Sequence, residues 1–162
     1  MAIPFGLPLV GGWPNIATNV ATASRDEGSV LNDNRADGLI ELVLPADTRL
    51  VRVARLVASG VATTAGFDVD EVEDLRIAVD ELCTALVEGG DGSPLLLGFD
   101  LGDGEVTVVG STSASGGVAF EPDRLALSRQ ILAVVADDHH LSADHGQISV
   151  RVHKRRTDSK DA

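Results

Sequence analysis

The sequence predicts an α+β fold: a two-layer sandwich whose mixed, mostly antiparallel sheet carries three helices on one face. Three observations lead there. Short apolar or alternating runs come in pairs joined by tight-turn residues, as hairpins do. Three longer segments repeat their apolar residues at helical spacing. The order is β-α-α-β-β-α-β-β, so helices inserted among antiparallel hairpins must share one side of the sheet.

The first strand begins near Gly38. Ile40, Leu42 and Leu44 alternate along it, and Pro45 ends it. Asp47 is placed to cap the next segment, whose Leu50, Val53, Ala54, Val57 and Val61 recur at helical spacing. Gly66 supplies the left-handed residue that closes such a helix. The second helix carries the plainest signals. Asp68 and Glu71 form a capping box. Leu75, Ala78, Val79, Leu82 and Leu86 then make one apolar face, and Gly89 and Gly90 stop it.

Two strands follow, at 95–101 and 105–109, joined by Asp103 and Gly104 as a hairpin turn. Residues 111–117 are small and polar and read as a loop. The third helix is expected over roughly 124–136. A last hairpin has a short strand near 139–141, a turn over 143–146 and a strand over 147–153. The folded domain is expected over 38–154, with a flexible tail at 1–37 and a basic tail at 155–162. Residues 1–37 contain Pro4, Pro8, Pro14, Gly11 and Gly12, then an Asn-, Thr-, Ser- and Asp-rich stretch with no lasting period.

Composition removes several classes of function. The chain has 162 residues and a net charge of −12, and such acidity repels a phosphate backbone, so no direct nucleic-acid partner is expected. No apolar run is long enough for a membrane span. No Lys or Arg precedes the proline-broken apolar start, so a secretory leader is not expected and the protein is placed in the cytoplasm. A single cysteine, Cys83, makes no intrachain disulfide and excludes a cysteine-ligated zinc site. Cys83 lies beside the apolar face of its helix and reads as a small core residue.

His139, His140, Asp144 and His145 fall close together, with His153 on the partner strand. Adjacent histidines on a strand point to opposite faces, so no metal is expected there. Arg49, Arg52 and Arg55 recur every three residues along the polar side of the first helix. They read either as partners of nearby carboxylates or as anchors for a protein partner. Glu81, judged by its helix alone, reads as a solvated carboxylate.

The run Leu75-Arg76-Ile77-Ala78-Val79-Asp80-Glu81-Leu82-Cys83-Thr84, within this order of elements, resembles the central helix of RsbW-type anti-sigma factors. These are serine/threonine kinases of the GHKL (histidine-kinase-like, Bergerat) ATPase superfamily. The resemblance spans about residues 39–154. It implies that Glu81 is the catalytic residue of an active member, polarising the attacking hydroxyl. It also implies an asparagine four residues on that helps hold Mg²⁺ against ATP. That position is Ala85, which offers no oxygen. The family's Asp-x-Gly-x-Gly should follow the third strand; here Gly110, Gly116 and Gly117 are candidate cofactor contacts, but the aspartate is missing. The Gly-rich turn before the last helix is replaced by Glu121-Pro122-Asp123-Arg124.

The resemblance therefore implies a stress-response regulator of transcription. It binds a sigma factor, is released by a STAS-domain antagonist, and has a decayed nucleotide site needing no cofactor. A homodimer fits the family. One alternative is an active protein-serine kinase using ATP and Mg²⁺ to phosphorylate the STAS protein. A second is a generic acidic protein-binding module.

Overall fold

The computed structural model describes residues 38–114 and 122–157. The tail expected over 1–37, Gly116 and Gly117, and residues 158–162 lie outside them. The elements are β1 (Leu39–Leu44), α1 (Val51–Thr64), α2 (Val69–Gly89), β2 (Leu95–Gly102), β3 (Glu105–Ser113), α3 (Pro122–Val135), β4 (Asp138–Asp144) and β5 (Gln147–Arg155). The sheet runs β1-β2-β3-β5-β4, and every described pair is antiparallel. The helices pack on one face, with α2 in the middle touching α1, α3, β2, β3 and β5.

Local chemistry explains α2. The Asp68 carboxylate accepts from the Glu71 amide at 2.8 Å, and Glu71 returns to the Asp68 amide at 2.9 Å. Two amides that a helix start leaves without partners are thereby satisfied. Leu75, Val79, Leu82 and Leu86 are fully buried beneath it, each stabilising the fold by about 1.5–3 kcal/mol. At the end of α1, Gly66 has φ +79°, and the Phe67 amide reaches back to the Ala62 carbonyl at 3.0 Å, the expected left-handed closure.

Register places Leu97, Val108, Val150 and Val152 on the helix side. Gly110 is on that side too. A Cβ there would lie 2.5 Å from Leu82 Cδ2 and 2.7 Å from Leu86 Cδ1. The glycine lets α2 approach the sheet.

Several boundaries differ from the sequence reading. β3 does not end at Val109 but runs to Ser113, because Ser111 and Thr112 pair with Ser149 and Ile148 of β5 and are buried. The Thr112 hydroxyl donates to the Ser93 carbonyl at 3.0 Å, so polar side chains are accommodated in the sheet. β4 is longer than expected, and the last turn is only His145 and Gly146, with φ of 49° and 75°. Both are left-handed, as a two-residue hairpin turn requires. In the earlier hairpin only Gly104 has positive φ. Asp47 caps a single 3-10 turn, Thr48–Leu50, rather than α1 itself. Helix α3 begins at Pro122, where a missing amide hydrogen carries no penalty.

The boundary drawn at 154 falls inside β5. The Arg156 amide donates to the Gly104 carbonyl, and the Thr157 amide to the buried Glu71 carboxylate. Lys154 Nζ meets Asp74 Oδ2 at 2.8 Å. Among the described residues no helix is long and apolar enough to cross a membrane.

Candidate functional site

Residues 81, 85 and 88 of α2 share one flank by their helical spacing, and α3 lies against it. Helix α3 brings Arg124 and Ser128, one turn apart. Ser128 Oγ donates to Glu81 Oε1 at 2.7 Å, and Arg124 Nη1 is 2.9 Å from the same oxygen. Arg124 Nε also donates to Glu88 Oε2 at 2.9 Å. One guanidinium thus spans two carboxylates on the flank that carries Ala85. Hydrogen bonding to Glu88, then the charges of Glu81 and Glu88, push this strong base further up.

Glu81 is only 9% exposed, so it is not the solvated carboxylate its helix alone suggests. Burial of a carboxylate requires paired charge and hydrogen bonds, and Arg124 and Ser128 supply both. Arg124 and Ser128 were not foreseen as partners of Glu81, nor Glu88 as the second carboxylate of Arg124. The available signal was an Arg and a Ser four residues apart on the last helix. Beside Glu81 a cavity of about 130 Å³ opens between α1, α2 and α3, lined by Arg55, Arg76, Asp80 and Ile131 among others.

No family model matches the chain. Among curated proteins, the serine-protein kinase RsbW of Bacillus pumilus is 43% identical over 79 residues, 46% of this chain and 43% of the relative. RsbW of Bacillus subtilis is 49% identical over 55 residues, 34% of each chain. RsbW of Bacillus thuringiensis is 33% identical over 89 residues, 53% of this chain and 54% of the relative. A crystal structure of the RsbU and RsbW domains of a Mycobacterium tuberculosis protein superposes with a TM-score of 0.56 at 16% identity. It covers 72% of this chain and 31% of that one. Over these segments the chain is similar to RsbW proteins. It spans about half the length, or less, of the relatives it matches. The structural likeness concerns the fold alone.

In this RsbW-like frame, the described residues do not fit Mg²⁺ and ATP as they are arranged. The Ala85 methyl has no atom to offer a metal. Glu81 is already held by a cation and a hydroxyl of its own chain. The cavity beside it is well below the 300 Å³ or so at which small-molecule pockets begin. Gly110, a candidate cofactor contact, lies in the middle of β3 with leucine side chains filling the space beside it, so it cradles no phosphate. Gly116 and Gly117 lie outside the described residues.

The three arginines of the RsbW-like domain are not one free row. Arg49 sits in the 3-10 turn and folds onto Asp47, with Nη2 2.7 Å from Oδ2. Hydrogen bonds from Arg49 lower the Asp47 carboxyl to about 2. Arg55 Nε approaches Asp80 at 3.5 Å. Arg52 alone makes no ion pair among the described residues. On the next turn of the helix stands Leu56, 71% exposed.

The histidines are dispersed along the last hairpin. His145 occupies the turn, and His153 Nδ1 is 2.9 Å from Thr107 Oγ1. Among the described residues no group of three or more His, Cys, Asp or Glu could hold a metal ion. Cys83 is fully buried, and burial, with Asp80 nearby, pushes its thiol up to about 12. It belongs to the core.

Proposed function

We propose that this RsbW-like chain is a binding regulator that holds a sigma factor and is released by a STAS-domain antagonist, its nucleotide site lost. It acts where its sigma factor acts, in the cytoplasm. The observation that carries this is the clamp on Glu81. The carboxylate that would activate a hydroxyl in a kinase of this family is buried against Arg124 and Ser128. It stands one turn from an alanine where a metal ligand would be. Arg124 stays protonated at any physiological pH, so Glu81 remains paired with it and is not free to take a proton from a hydroxyl.

The test is calorimetry with ATP·Mg²⁺ on the purified chain, followed by incubation with the STAS protein and labelled ATP. No heat at micromolar concentrations and no label transfer are expected. Micromolar binding lost in Glu81→Ala, with phosphate on the STAS protein, overturns the proposal in favour of the kinase.

The sigma-binding surface is assigned to α1, around Arg52 and Leu56. An exposed leucine beside an unpaired arginine suits an interface anchor. Arg52→Glu combined with Leu56→Asp is expected to weaken sigma-factor binding about tenfold or more, without lowering the melting temperature. Unchanged affinity in a surface-binding assay places the interface elsewhere.

A further inference from the structure

The helix layer has an outer side, and apolar residues lie on it. Helix α3 buries Ser128, Leu132 and Val135. Leu127, Ile131 and Val134 recur at i, i+4 and i+7, so they share the flank beside the buried one. A helix of a folded domain normally turns such a stripe inward. Here Leu127 is 48% exposed and Val134 82%. Ile77 of α2, 38% exposed, lines the cavity beside Glu81 together with Ile131. The cavity is thus the deepest point of a furrow between α2 and α3. Arg55 of α1 reaches the same cavity across α2. Helix α2 therefore lies lower than its neighbours, as the missing side chain at Gly110 allows. The two helices run antiparallel, because Arg124 meets Glu81 and Glu88 while Ile131 shares a cavity with Ile77. From residue 70 to 88, α2 extends about 27 Å, the length of a five-turn helix.

Both ends of the furrow are acidic. Asp70 stands in the first turn of α2 and Asp123 in the first turn of α3. Both are exposed, and neither makes an ion pair among the described residues. The cations along the furrow are spent on other carboxylates. Arg76 holds Glu73 at 2.7 Å, Arg55 approaches Asp80 at 3.5 Å, and Arg124 spans Glu81 and Glu88. By its spacing Arg129 stands on the far flank of α3. We propose that this furrow docks a protein partner through an amphipathic helix with basic ends. The apolar stripe of that helix lies over Ile77, Leu127, Ile131 and Val134, and its Lys or Arg residues meet Asp70 and Asp123. An apolar centre inside a charged rim is the usual build of a protein interface. A second copy of this chain is a poorer occupant. A two-fold contact sets the same patch against itself, so carboxylate would face carboxylate. Docking here depends neither on the Arg52 and Leu56 patch of α1 nor on a nucleotide.

The probe is a labelled peptide of leucine and lysine, about 18 residues long to match the furrow. Its leucines lie along one helical face, and its binding to the full chain is read by fluorescence anisotropy. Micromolar binding is expected. A peptide with the same residues in scrambled order, and one with glutamate for lysine, should each bind about tenfold more weakly or worse. Leu127→Gln with Val134→Gln should weaken binding several-fold at an unchanged melting temperature. Should that double variant not fold, Val134→Gln alone serves, because Val134 is almost wholly exposed. Asp70→Asn with Asp123→Asn should also weaken binding several-fold and flatten its dependence on salt. Ile40→Gln, which removes an exposed apolar side chain from β1, should leave binding unchanged. Four results overturn the proposal. One is equal binding of the scrambled peptide, which reduces the contact to bulk charge. Another is wild-type affinity in the folded furrow variants. The third is an equal loss in Ile40→Gln. The last is a wild-type dimer in sedimentation that falls apart in Leu127→Gln with Val134→Gln, which gives the furrow to a second copy.

Discussion

Gly110→Val is expected to destabilise the domain by about 3 kcal/mol. The first added carbon meets Leu82 Cδ2 at 2.5 Å, Leu86 Cδ1 at 2.7 Å and Leu97 Cδ2 at 3.0 Å. Each is the end of a side chain that could turn away if space existed, but all three leucines are fully buried. Interiors pack at near-crystal density, so the two further valine methyls force α2 from the sheet. Urea unfolding measures the loss. Shortening one neighbour, as Gly110→Val with Leu82→Ala, should recover part of what the two changes cost separately. A variant within about 0.5 kcal/mol of wild type would mean that α2 does not approach β3 so closely.

Arg124→Ala is the second large effect, about 2 kcal/mol. Removing one partner of a buried pair leaves a carboxylate without its counter-charge, at about 3–5 kcal/mol for fully buried pairs. Arg124 keeps 29% of its side-chain exposure, so part of that charge is already screened by water. The same change frees Glu88 and loosens the start of α3 from α2. Glu81→Gln tests the cause. An amide can still accept from Ser128 but carries no charge, so the double variant with Arg124→Ala should be more stable than Arg124→Ala alone. If the two changes add without coupling, the clamp contributes nothing.

The parts of the fold legible in the sequence are those fixed by short-range chemistry. The Asp68 capping box and the leucines of α2 lie within one helix, and Gly66 acts on the turn that contains it. The continuation of β3 through Ser111 and Thr112 was not legible. Serine and threonine look like loop residues until the pairing with β5, nearly forty residues on, buries them. Glu81 was misplaced in solvent for the same reason. Its partners Arg124 and Ser128 come from a helix more than forty residues away, and one helix's periodicity says nothing about what a second helix brings to it. The absence of an oxygen at position 85 needed no structure at all.

Strand β5 is the last described element in the chain, yet it is not at the sheet's edge. It lies between β3 and β4, and its end is fastened to α2 through Glu71 and Asp74. During synthesis, therefore, everything up to β4 leaves the ribosome while the strand that joins β4 to the rest is still missing. Until it arrives, β3 presents a bare row of amides and carbonyls, the kind of edge on which unfinished chains stick to one another. Folding of this domain therefore waits for residues 147–157. A chain cut short before residue 157 is not a slightly weaker domain but an open sheet edge, which chaperones and proteases recognise.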